Sequence, residues 1–81
     1  MRATVLVRPK TGILDPQGRA VETSLRQLGF DVSDARVGRV IDLDVGAATP
    51  AEARAEVERM CDRLLANALV ESYEIELEGP A

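Results

Sequence analysis

Glu71-Ser72-Tyr73-Glu74-Ile75-Glu76-Leu77-Glu78 is the stretch that decides the fold class. Tyr73, Ile75 and Leu77 alternate with Glu74, Glu76 and Glu78. Successive side chains of a strand point to opposite faces, so this strand has one apolar face and one acidic face. Such a pattern needs cover on one side only, as in an antiparallel sheet with a single helical layer.

Working outward from it, Thr49-Pro50-Ala51-Glu52 is a capping box. Thr49 can accept a bond from the third helical N–H, Glu52 can reach back to the N–H of Thr49, and Pro50 gives up no bond at the first position. The helix that follows is expected to run to about Asn67, a residue suited to a left-handed stop. Ala53, Val57, Met60, Cys61, Leu64 and Leu65 form its expected buried stripe, with Arg54, Glu58, Arg59, Asp62 and Arg63 on the wet side.

Asp31 to Val45 reads as extended. Ala35 and Val37, then Ile41, Leu43 and Val45, alternate with charged residues. A two-residue hairpin at Gly38-Arg39 would carry Asp42 and Asp44 inward, against the apolar phase. One long strand bent or bulged at Gly38 is the favoured reading, with two strands joined by a short loop as the alternative. Arg39 is the odd residue, a charge in the inward phase.

Nearer the N-terminus, Asp15 can cap and Pro16 can open a helix to about Leu28. Its stripe is Val21, Leu25 and Leu28, and Gly29 is its stop. Ala3 to Arg8 reads as a strand with Ala3, Val5 and Val7 on one face and Leu6 on the other. The order is β-α-β(β)-α-β. We expect an α+β two-layer sandwich of ferredoxin-like type, an antiparallel sheet with two helices on one face. Residues 1–78 make a single domain, and Gly79-Pro80-Ala81 a loose tail.

At 81 residues, a domain buries only about 60% of the surface its unfolded chain exposes. Association with another copy is a natural way to bury more. One Phe, one Tyr, no Trp and a net charge of −4 argue against nucleic acid, which needs stacking platforms and clustered cations. A single cysteine permits no internal disulfide. No segment reads as a signal peptide or reaches the ~20 apolar residues of a membrane span. The expected location is the cytoplasm.

Chemistry is scarce. There is no histidine, which removes the commonest general base and neutral metal ligand. Cys61 sits on an apolar stripe and reads as a small buried hydrophobe. Lys10 to Gly18, KTGILDPQG, lacks the GxxxxGK[ST] spacing of a phosphate loop. Asp42 and Asp44, with Glu74, Glu76 and Glu78, read as a solvated face or one that meets basic groups on a partner, ahead of a metal site. No catalytic, cofactor or metal residue is expected.

Three segments carry a resemblance. The first is Lys10 to Gly18, entering the first helix. The second is Val37-Gly38-Arg39 with Arg36 before it. The third is Met60 to Tyr73, MCDRLLANALVESY. Their order and spacing resemble the PurS family, the small subunits of phosphoribosylformylglycinamidine (FGAM) synthase. Arg39 stands where lysine is common in that family, and Ala68 where proline is common.

The resemblance implies a non-catalytic subunit of purine (IMP) biosynthesis. In the family, a PurQ glutaminase releases ammonia and a PurL synthetase uses it with ATP to make the amidine. PurS joins them and supports ammonia transfer. ATP, magnesium and glutamine are then used by the partner subunits, not by this chain. Self-association as a homodimer is implied, with a tetramer as a further step. The interface candidates are Asp15, Pro16, Gln17, Gly18, Arg36, Gly38, Arg39, Leu65, Asn67, Glu71 and Tyr73. The rival reading is a ferredoxin-like domain that senses a small molecule, which amino-acid-dependent thermal stabilisation would reveal.

Overall fold

The computed structural model describes residues 1–78; the expected loose tail, Gly79-Pro80-Ala81, lies outside the described residues. Three strands form an antiparallel sheet: β1 (Arg2–Pro9), β2 (Arg39–Asp44) and β3 (Glu71–Glu78), in the order β2-β1-β3. Between them run α1 (Pro16–Gln27) and α2 (Pro50–Met60), the latter continuing into one π-helical turn, Cys61–Leu65. The α+β class, the antiparallel sheet and the two helices are as expected.

The register explains the sidedness. Val5 lies between Ile41 and Ile75, Ala3 between Leu43 and Leu77, and Val7 between Arg39 and Tyr73. That face carries α2 and its π-helical turn, whose Ala53, Val57 and Cys61 are fully buried against Ala3, Val5 and Val7. Each fully buried valine stabilises the fold by roughly 1.5–3 kcal/mol relative to exposure. Glu74, Glu76 and Glu78 point to the other face.

Helix α2 begins as expected, with the Glu52 N–H donating to Thr49 Oγ1 at 3.2 Å. The Glu52 carboxylate reaches back one residue further than expected, accepting from the Ala48 N–H at 3.3 Å. The helix ends earlier than Asn67. The Ala66 N–H bonds to the Cys61 carbonyl at 3.1 Å, a five-residue step that widens the last turn. Its stripe is also narrower. Ala53, Val57 and Cys61 stack on the sheet, while Met60 is 37% and Leu64 84% exposed. The reason is the narrow sheet: β2 is its edge, and these two side chains lie over a groove beside Leu43 rather than over a further strand.

Helix α1 departs from the expectation that both helices cover one face. It buries only Gly18, and Val21 and Leu28 are 42% and 73% exposed. It closes as predicted at Gly29, whose φ is 95°. The Gly29 N–H bonds to Arg26 O and the Phe30 N–H to Leu25 O, both at 3.0 Å, which is a Schellman motif. The chain then turns back along the helix. Arg26 Nε donates to Val32 O (2.8 Å), the Asp34 N–H to Glu22 Oε1 (2.8 Å) and the Val37 N–H to Asp15 Oδ2 (2.9 Å). Helix and return segment form an arm.

The favoured long bent strand is therefore corrected. Only Arg39–Asp44 enters the ladder, and Asp34, at φ 56°, breaks the run before it. Aspartate tolerates that left-handed conformation better than most residues.

Candidate functional site

Two polar knots fasten the arm and the helix end to the sheet. The first is Asp15. Its Oδ1 accepts from the Gly18 N–H at 3.0 Å, which caps α1, and its Oδ2 accepts from the Val37 N–H on the returning chain. The Val37 bond first, and then the Gly18 bond, hold the Asp15 carboxyl below the usual aspartate value. Gly18 is required beside it: a Cβ there would collide with the Ala35 carbonyl oxygen and with Asp15 itself.

The second knot is Arg39. As the first residue of β2 in the inward phase, it reaches across the sheet end to β3. Its Nη1 donates to Glu71 Oε2 at 2.7 Å and its Nη2 to Glu71 Oε1 at 3.1 Å, a two-pronged pair. Nη2 also donates to the Leu65 carbonyl at 2.5 Å, and Glu71 Oε1 accepts from the Asn67 N–H at 2.8 Å. One guanidinium thus ties the end of the helix to the start of two strands. The Arg39 side chain lowers the pKa of Glu71, and Glu71 raises that of Arg39. The inward charge that seemed misplaced in the alternation is a clasp at the strand end.

Between the knots lies a surface hollow of about 260 Å³, lined in part by Asp15, Gln17, Gly38, Arg39 and Glu71. Five of the predicted residues therefore meet in one place. Gly38 belongs there for a steric reason, since a Cβ would meet the Val7 carbonyl oxygen. Arg36 borders the adjoining hollow with Gly38 and Arg39; it donates to Asp34 Oδ1 and to Ile13 O, both at 3.2 Å. Pro16 opens α1 and Gly18 is buried beneath it. Asn67 caps the turn after the helix, its Oδ1 accepting from the Leu69 N–H at 3.1 Å. Tyr73 and Leu65 pack on the core instead.

Two features were missed. Lys10 closes the same end of the molecule, its Nζ donating to Ala68 O at 2.6 Å and its N–H to Val70 O at 2.9 Å. A largely apolar groove of about 490 Å³ runs beside α2, lined by Leu43, Met60, Leu64 and Leu65 and bordered by Glu56, Arg59 and Arg63. Its signal was present, because a helix with apolar residues on a wide arc cannot bury all of them on three strands.

The chemistry of the site is that of fastening. Asp15, Arg36, Arg39 and Glu71 are each engaged, and Cys61 is buried, with its pKa raised by that burial first and then by Asp62 and Glu58. Among the described residues no three Cys, Asp or Glu side chains converge as a metal site, and no helix is long and apolar enough to cross a membrane.

A family model described as PurS, phosphoribosylformylglycinamidine (FGAM) synthase, matches residues 2–79. The chain belongs to the PurS family. Among its relatives, the Synechocystis sp. phosphoribosylformylglycinamidine synthase subunit PurS is 44% identical over 77 residues, covering 94% of this chain and 75% of that one. The Methanocaldococcus jannaschii subunit PurS is 37% identical over 78 residues, covering 95% and 94%.

Solved structures agree. The crystal structure of M. jannaschii PurS, a subunit of formylglycinamide ribonucleotide amidotransferase, superposes with a TM-score of 0.86 at 36% identity, covering 99% of this chain and 98% of that one. A chain in the structure of PurLQS from Thermotoga maritima superposes at 0.84 with 33% identity, covering 93% of each. PurS-family membership thus rests on sequence and fold along nearly the whole chain.

Proposed function

We propose that this chain is a non-catalytic structural subunit of the phosphoribosylformylglycinamidine synthase complex in purine biosynthesis. It joins a PurL-type synthetase to a PurQ-type glutaminase and supports ammonia transfer between them. The observation that carries this reading is the full-length likeness to a chain of the T. maritima PurLQS structure. The site chemistry is consistent with it, since the charged groups at the base of the arm hold the fold together. ATP, magnesium and glutamine belong to the partner subunits, and the complex works in the cytoplasm.

The same reading includes self-association. Helix α1 presents Val21 and Leu28, flanked by Leu14 and Phe30 at 70% and 59% exposure. An apolar stripe of that length asks for cover, and a second copy supplies it in a homodimer; pairing of dimers gives a tetramer when the other subunits are absent. Sedimentation of the isolated chain tests this. A dimer that Leu28→Asp dissociates is expected, and a monomer at all concentrations would refute it.

The deciding experiment is reconstitution with the PurL and PurQ subunits of the same organism. Glutamine-dependent, ATP-consuming amidine formation is expected to require this chain. Full activity without it would overturn the proposal.

A further inference from the structure

The sheet has a second side that no described element covers. Its cross-strand rows are Asp44-Arg2-Glu78, Asp42-Thr4-Glu76 and Val40-Leu6-Glu74. Both outer strands carry carboxylates on this side, and the middle strand carries Arg2 and Arg8. Five carboxylates thus face two guanidiniums, and the existing pairing is loose. Arg2 lies 3.9 Å from Asp44 and Arg8 lies 3.4 Å from Glu74, all four side chains more than half exposed. Among the described residues Asp42 accepts only from the neutral Thr4 hydroxyl, at 2.8 Å. Glu76 and Glu78 form no ion pair among the described residues. At the centre lies a small apolar step, Leu6 half-buried and Val40 61% exposed.

We propose that this open face docks a basic, arginine- and lysine-bearing surface of another subunit, with Leu6 and Val40 as its dry centre. The inference rests on the subunit reading above. Charge selects the occupant. A second copy laid face to face would set these carboxylates against their own kind in excess of the arginines, and like-charge juxtaposition disfavours a contact strongly. Nucleic acid is repelled for the same reason. A basic protein surface gains from the whole column, and an apolar centre with a charged rim is the usual anatomy of a protein contact. The stripe on α1 lies elsewhere, so one chain can meet its copy by the arm and a different subunit by the sheet.

The test uses the full chain with purified PurL and PurQ subunits of the same organism, immobilised in turn, with association followed at rising salt. For the wild-type chain, the association rate with one of them should fall steeply with salt. The triple variant Asp42→Lys, Glu74→Lys, Glu76→Lys should associate at least ~10-fold more slowly, with the salt dependence flattened. Its sedimentation and thermal melting should stay unchanged. The milder Asp42→Asn, Glu74→Gln, Glu76→Gln variant should fall between, and it carries the test if the lysine variant misfolds. Equal rates and equal salt dependence in wild type and variants would overturn the inference while the subunit reading stands. Loss of self-association with unchanged binding to both subunits would also overturn it, making a second copy the occupant. Failure of the wild-type chain to bind either subunit would remove the subunit reading itself, and this inference with it.

Discussion

Helices α1 and α2 start by the same device and end in different surroundings. Each has proline at its first position behind a side-chain cap, Asp15 in one and Thr49 in the other. Yet α2 lies on the sheet through Ala53, Val57 and Cys61, while α1 leaves the sheet and is accompanied only by its own return segment. The difference lies in what faces the apolar stripe. In α2, small and medium residues four apart let the helix approach Ala3, Val5 and Val7 closely. In α1, the cap residue is bonded to Val37 as well as to its own helix, so the first turn is pinned at the sheet end and the helix points away. Amphipathicity says that a helix will be covered, not which chain covers it.

The largest test of this contrast is a matched pair of charges. Val57→Asp buries an unpaired carboxylate against the sheet and should destabilise by about 3 kcal/mol or more. Val21→Asp, on the half-exposed arm, should lower the unfolding free energy of the dissociated chain by no more than ~0.5 kcal/mol. Equal losses in urea titrations would break the distinction between arm and body.

Next come two glycines. Gly38→Ala and Gly18→Ala each force a Cβ onto a carbonyl oxygen and should cost about 1–3 kcal/mol. They should differ in where the damage falls. Hydrogen exchange should quicken throughout the sheet for Gly38→Ala, and in α1 and the return segment alone for Gly18→Ala.

A smaller effect is the cap of α2. Thr49→Ala should lower stability by ~1 kcal/mol in thermal or urea unfolding.

The smallest effect is a dependence on pH. The carboxyl pKa of Asp15 is lower in the fold than its ordinary 3.8. Its contribution is therefore complete above that value and drains away as pH falls through the folded value. The first-turn amides of α1 should lose protection in acid before the first-turn amides of α2, whose N-cap is an uncharged threonine. Asp15→Asn should remove that difference, and simultaneous fraying of both helices would count against the Asp15 knot.

Much of this architecture was legible in the residues. The alternation of Glu71 to Glu78, both caps and the Gly29 stop depend on local chemistry that a sequence displays directly. Arg39 stands out in the sequence as a charge in the inward phase, although its partner Glu71 lies 32 residues away. What escaped was set by neighbours distant in sequence. Ala35 and Val37 alternate like strand residues, but Asp34 takes a left-handed turn and the chain spends those residues along α1. Met60 and Leu64 satisfy helical periodicity, yet their exposure depends on how many strands lie beneath them. The candidate residues from Asp15 to Tyr73 are scattered along the chain, and only the fold shows that five of them line one hollow.

The strand order has a consequence in time. Central β1 is made first, and its two neighbours begin at residues 39 and 71. With chain growth at roughly 5–20 residues per second, β1 waits several seconds for β3. During that interval Val5 and Val7 have at most one neighbouring strand, and the edge that β3 will occupy stands open to any extended segment nearby. Newborn copies on one message are therefore most prone to mispairing just before Tyr73, Ile75 and Leu77 arrive, and the glutamates between them disfavour that same strand as a bridge between strangers.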